Sequence, residues 1–208
     1  MDTARSIFDL LGPQGNVPSL GRAERLLLAS IAMLGALACA AGWGALVGVA
    51  SGHAATDAVL APVLLLASGL TALPLTLFVA RVFGRGLRIS DLLLAYGTGA
   101  FAGGAALLLV APLVSLYQHS STLVGGNIGS ASALFGVLFG GFVFVRTLGK
   151  LADTPEARRS LIAPTLLLLV LQALGIAQLA SVMPPLFEHR TTIGHGVDAL
   201  GSTSPEAP

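Results

Sequence analysis

The side chains able to do chemistry in this chain are few and far apart. Four histidines, His53, His119, His189 and His195, and two carboxylates, Asp57 and Glu188, fall between or after long apolar stretches. Acid–base catalysis needs such groups to converge on one reacting atom, and a metal ion needs ligands at spacings such as HxxxH or HExxH. These six lie on three separate segments and show neither spacing, so solvated loop side chains are the expected state. Two serines, Ser130 and Ser132, sit inside the apolar run NIGSASALFGVLFGG, where a nucleophile would need a histidine on a neighbouring span. No apolar stretch supplies one. The residues therefore assign no catalytic, cofactor-binding or metal-ligating position, and the chain is expected not to be an enzyme.

That serine-containing run resembles the G-x-S-G-x-x-F-G signature of rhomboid intramembrane proteases. Aligned on Phe135 and Gly136, however, the nucleophile position is Ala131. With the partner base also missing, the resemblance implies no proteolytic chemistry here.

The elements that carry these residues follow from composition. Of 208 residues, 54% are hydrophobic and only 10% charged, at a mean hydropathy of +0.85, which is too few charges to coat a soluble domain. A bilayer core of about 30 Å takes about 20 helical residues to cross. Residues 26–50, 58–80, 92–117, 125–145 and 161–183 meet or approach that length without a charge. None has the charged face of a soluble amphipathic helix. The expected fold is all-α, a polytopic membrane bundle of five transmembrane helices at 26–187. The first apolar run exceeds the 7–15 residues or so of a signal-peptide core, so a retained helix is expected. Cys39, the single cysteine, excludes an internal disulfide.

The segments between spans set orientation. Arg5, Arg22 and Arg25 precede the first; Arg81, Arg85 and Arg88 separate the second and third; Arg146, Lys150, Arg158 and Arg159 separate the fourth and fifth. The other loops carry no cation, and the tail holds only Arg190. By the positive-inside rule the N-terminus is expected in the cytoplasm and the C-terminus outside. These cations are read as topology signals that reach lipid headgroups. Usage rich in Ala, Leu, Gly and Arg, with one lysine, suggests a GC-rich bacterial genome and hence an inner membrane. Net charge of +1 gives no nucleic-acid footprint.

Within the spans, glycine spacing is the clearest signal. Gly125, Gly129, Ser132, Gly136 and Gly140 form one narrow stripe, with Phe135, Leu138, Phe142 and Val145 opposite. Gly44 with Gly48, and Gly99 with Gly103, repeat the GxxxG spacing that lets helix backbones touch. Packing within the chain is expected, with contact between copies as the alternative. Pro164 suits a first helical turn, whereas Pro74 is expected to kink the second span and free a carbonyl that Thr71 or Ser68 satisfies. Gln172 and Gln178 lie about 240° apart on a helix, so separate interhelical hydrogen bonds are expected rather than a joint site.

Residues 1–25 form a cytoplasmic segment in which Ala4, Ile7, Phe8 and Leu11 share a helical face. A short N-terminal interfacial helix is expected there, ended by Gly12 and Pro13. Residues 188–208 read as a disordered tail outside the membrane.

Five spans with this orientation resemble the Yip1 family of integral membrane proteins. Asp9, Leu10, Leu11, Gly12 and Pro13 are similar to that family's D-L-x-G-P element, and Ala95, Tyr96, Gly97 and Thr98 to its G-Y motif in the third span, with Ala95 where the family has glycine. The resemblance implies a non-enzymatic scaffold whose partners are the bilayer and other membrane proteins or further copies of itself, with no cofactor and no nucleic acid. The competing expectation is a transporter or small-solute permease subunit, built around a polar cavity at Tyr96, Ser132 and Gln172. A cavity of that kind near the midplane separates the two.

Overall fold

The computed structural model describes residues 21–83, 88–120, 125–151 and 162–182. The N-terminal segment with its expected interfacial helix, Arg85, Arg158, Arg159, His189, His195 and the tail lie outside the described residues. Five α-helices account for almost everything described: α1, Arg22–Ser51; α2, Ala54–Phe83; α3, Ile89–Ser120; α4, Gly125–Leu151; and α5, Ile162–Val182.

Four of them carry apolar stretches long enough to cross a bilayer, at Arg22–Val49, Ala54–Val79, Ile89–Gln118 and Ile128–Leu151. In α5 the corresponding stretch is Ile162–Ile176, within a helix of 21 residues that rises roughly 30 Å in all. The fold is a helical membrane bundle. Its outer surface is what hydrocarbon requires: Leu34, Leu70, Phe78, Leu109, Leu138 and Phe142 point outward, Leu109 being 82% exposed. Water would penalise such a belt on every helix, whereas lipid tails solvate it at no cost.

The ends of the helices have local causes. Glu24 Oε2 accepts the Gly21 N–H at 2.9 Å, so a first-turn carboxylate closes the start of α1. At the other end Gly52 adopts φ 77°, and the Gly52 and His53 N–H groups donate to the carbonyls of Val49 and Gly48 at 3.3 and 2.8 Å. This is a Schellman stop, and its left-handed residue is tolerated because glycine has no Cβ. The chain then reverses within two residues into α2. Pro62, Pro74 and Pro112 are carried inside continuous helices. Ser68 and Thr71 do not serve the carbonyl freed by Pro74, that of Leu70: their hydroxyls donate to Leu65 O and Ser68 O at 3.0 and 2.9 Å. Pro164 is buried in the first turn of α5, as its missing donor allows.

The helices α2 and α3 begin several residues before the apolar runs, so Asp57 and Asp91 fall inside them and are 2% and 6% exposed. Polarity marked these residues as loop, but a first helical turn welcomes a carboxylate because its N–H groups lack intrahelical partners.

In the bundle α3 is central. From Ser90 to Gly99 every residue except Leu93 is buried. α1 lies parallel to α3 along one side and α4 antiparallel along the other; α2 packs on α1, and α5 packs on α2 while touching α4 only lightly. The order around the bundle is thus α1, α3, α4, α5, α2.

Candidate functional site

Glycines create the close seams. A Cβ on Gly103 would stand 2.6 Å from the Gly136 carbonyl oxygen, and one on Gly140 would stand 2.8 Å from that of Gly99. The α3 and α4 backbones are therefore in direct contact, and no side chain fits between them. Dispersion and weak Cα–H···O contacts hold such a seam where no hydrophobic drive exists between helices. Gly44 lies on the Asp57 carbonyl, and Gly48 meets Ala54 and the Asp57 carboxylate, so the first GxxxG pair forms the α1–α2 seam. Gly129 faces Gln118. Gly129, Gly136 and Gly140 of the stripe thus face α3, and Phe135, Leu138, Phe142 and Val145 face outward.

The ends of the bundle differ in charge. Because α1 and α3 run parallel and α4 antiparallel, Arg22, Arg25, Arg88, Arg146 and Lys150 gather at one end. Arg25 departs from its expected headgroup role: its guanidinium pairs with the Asp91 carboxylate across the α1–α3 seam, with side chains 16% and 8% exposed. Arg81 belongs to the last turn of α2.

Between the seams lies a cavity of about 110 Å³ to which all five helices contribute. From Tyr96 to Leu107 on α3 it extends roughly 16 Å at 1.5 Å per residue, and from Ala133 to Phe144 on α4 it covers the same height. Its wall is glycine, alanine and aliphatic side chain, interrupted by Tyr96, Gln172 and Trp43. Ser132 does not reach it; the Ser132 hydroxyl donates to Gly129 O at 2.7 Å. Thr98 is likewise spent on its own helix, bonding Leu94 O and Ala95 O at 2.9 and 3.0 Å. The expected polar cavity therefore exists as a cavity, with Tyr96 and Gln172 in its wall, but its surface is mainly apolar.

Tyr96 and Trp43 are 4% and 5% exposed, and neither the Tyr96 hydroxyl nor the Trp43 Nε1–H has a hydrogen-bond partner. Sequence reasoning missed Trp43, which reads as one more aromatic in an apolar run. Its position in the wall becomes visible only when α1 is set against α2 and α3. Tyr96 crosses from α3 to α2, where its hydroxyl rests on Gly69, a site that a Cβ would fill.

The remaining reactive groups do not converge. His53 is exposed, Asp57 is buried in the α1–α2 seam with Oδ1 unpartnered, and among the described residues no three His, Cys, Asp or Glu side chains approach one another. Gln178 lies on α5. No family model matches this chain, and neither the curated proteins nor the solved structures provide a match.

Proposed function

We propose that the protein is a non-catalytic integral membrane protein that works by binding, as a scaffold or organiser for partners within the bilayer. The observation that carries this reading is the bundle's interior. Four helices meet through glycine seams, and the wall of the central cavity holds no carboxylate, histidine, lysine or arginine. Ion-coupled transporters place carboxylates, histidines or cations along the path of their substrate. A mainly apolar cavity does not solvate an ion or a polar solute.

The cationic end of the bundle supports an orientation with Arg22, Arg88, Arg146 and Lys150 toward the cytoplasm of a bacterial inner membrane. At that surface they meet anionic headgroups or acidic segments of partner proteins. The resemblance to the Yip1 family points to the same non-enzymatic role. Photo-crosslinking from Arg22 and Arg88 positions in intact membranes, read by mass spectrometry, is expected to capture a small, reproducible set of membrane proteins. Purified protein in liposomes is expected to leave solute flux at background. Saturable uptake of an ion or polar solute would overturn the proposal.

A further inference from the structure

Arg22 and Arg88 flank the mouth of the α1–α3 seam. The two helices run parallel, and Arg25 meets Asp91 at an offset of 66 positions; the same offset sets Arg22 level with Arg88, about one turn nearer the cationic end. Arg88 is held there by the start of α3, where its carbonyl accepts the Asp91 and Leu92 N–H groups at 3.0 and 3.3 Å. Both arginines are exposed, and neither forms an ion pair among the described residues. The described carboxylates beside them are already engaged, Asp91 by the Arg25 guanidinium and Glu24 by the Gly21 N–H at 2.9 Å. Two like charges on adjacent helices, with the neighbouring counter-charges spent, draw an anion from outside the chain.

What adjoins the arginines narrows the anion. Leu26 and Leu27 on α1 and Ile89 on α3 are exposed, so the lipid-facing belt begins within about a turn of each guanidinium. A ligand that fits both features carries an anionic group next to hydrocarbon. Arginine's planar fork matches the two free oxygens of a phosphodiester. We propose that Arg22 and Arg88 form a binding site for the phosphate of an anionic phospholipid, whose acyl chains lie beside these apolar side chains. Lys150 of α4 stands near the level of Asp91, since Gly99 and Gly103 of α3 meet Gly140 and Gly136 of α4. Its charge adds to a field that disfavours a headgroup bearing an ammonium. The site rests on the reading of this end as the interfacial surface of a membrane scaffold, and it names lipid rather than an acidic protein segment as the partner there.

Full-length protein in dodecyl maltoside micelles is titrated with dioleoylphosphatidylglycerol, and the thermal unfolding midpoint is followed. A saturable rise is expected, absent with dioleoylphosphatidylcholine and weakened by added salt. Arg22→Gln combined with Arg88→Gln is expected to weaken the apparent affinity by about thirtyfold and, because both side chains are exposed, to leave the midpoint without lipid unchanged. Arg22→Lys with Arg88→Lys keeps the charge but not the fork, and its affinity is expected to fall between. An equal response to the two lipids, or an unchanged response in the folded glutamine variant, would overturn the proposal. So would full competition by glycerol phosphate, the mark of a free-anion site, or stabilisation by polyglutamate and not by lipid, the mark of a protein partner. Saturable solute uptake in liposomes would overturn the scaffold reading and leave this lipid measurement standing, so the two fail separately.

Discussion

Arg25 and Asp91 are 66 positions apart and form an ion pair at the cationic end of the bundle, tying the first turn of α1 to the first turn of α3. Such a contact fixes the relative height of two parallel helices, which apolar faces alone leave free to slide.

Breaking that pair leaves a buried charge. Asp91→Ala removes the carboxylate that faces the Arg25 guanidinium, and Arg25→Ala strands the carboxylate in a site 8% exposed. A loss of about 3 kcal/mol is expected for either single change, measured by unfolding in mixed micelles of increasing SDS fraction. The double substitution Arg25→Leu with Asp91→Leu is expected to cost less than either single change, because no unpaired charge remains.

The α3–α4 seam predicts steep dependence on side-chain size. Gly103→Ala drives a Cβ against the Gly136 carbonyl and Gly140→Ala another against that of Gly99, and in neither case does a flexible side chain give way. Each is expected to cost about 1–3 kcal/mol, the usual penalty of overpacking. Gly35→Ala meets the ring edge of Phe101 instead, which rotates, so a smaller loss is expected. Leu109→Ala, on the lipid face, is expected to change stability by less than about 0.5 kcal/mol. The same unfolding assay orders the four variants.

The turn between α1 and α2 depends on one backbone conformation. Gly52 holds φ 77°, which an L-residue adopts at a cost of about 1–2 kcal/mol. Gly52→Ala is expected to lower stability by that amount. Gly52→Asn is expected to retain part of it, since asparagine visits this region more readily. Hydrogen exchange at the Gly48 to His53 amides reports whether the loss is confined to the turn.

Orientation is testable by fusion. A periplasmic phosphatase joined after Arg88 is expected to be inactive and one joined at His53 active, with the reverse pattern from a cytoplasmic reporter. Arg22, Arg88, Arg146 and Lys150 all lie at one end, so changing all four to glutamine is expected to produce mixed orientation, scored by the same fusions.

Much of the architecture is legible in one dimension. Runs of some 20 uncharged residues specify spanning helices because hydrocarbon offers backbone groups no partner outside the helix. The spacing of Gly44 with Gly48, and of Gly99, Gly103, Gly136 and Gly140, marks the seams because small residues on one face permit backbone contact whatever the partner. Which glycine faces which is a matter of height and rotation between distant segments, and only the assembled bundle sets it. The same holds for Asp57 and Asp91. Their polarity reads as loop, yet a helix start and a neighbouring helix bury them, one against Gly48 and the other on Arg25.

The cavity was the least legible feature. Hydropathy marks Trp43 and Tyr96 as belonging to spans but does not say whether an aromatic side chain faces lipid, packs in a seam or borders a void. In this bundle Phe142 is on the lipid side, Phe101 packs in the α1–α3 seam against Gly35, and Phe144, Trp43 and Tyr96 are on the cavity wall. The sequence by itself determined the solvent, the number of rods and the small faces on which they meet, because each depends on local composition and helical period. Tertiary structure alone decided where those rods fail to fill the space between them, because a void belongs to five helices at once and is written in none of them.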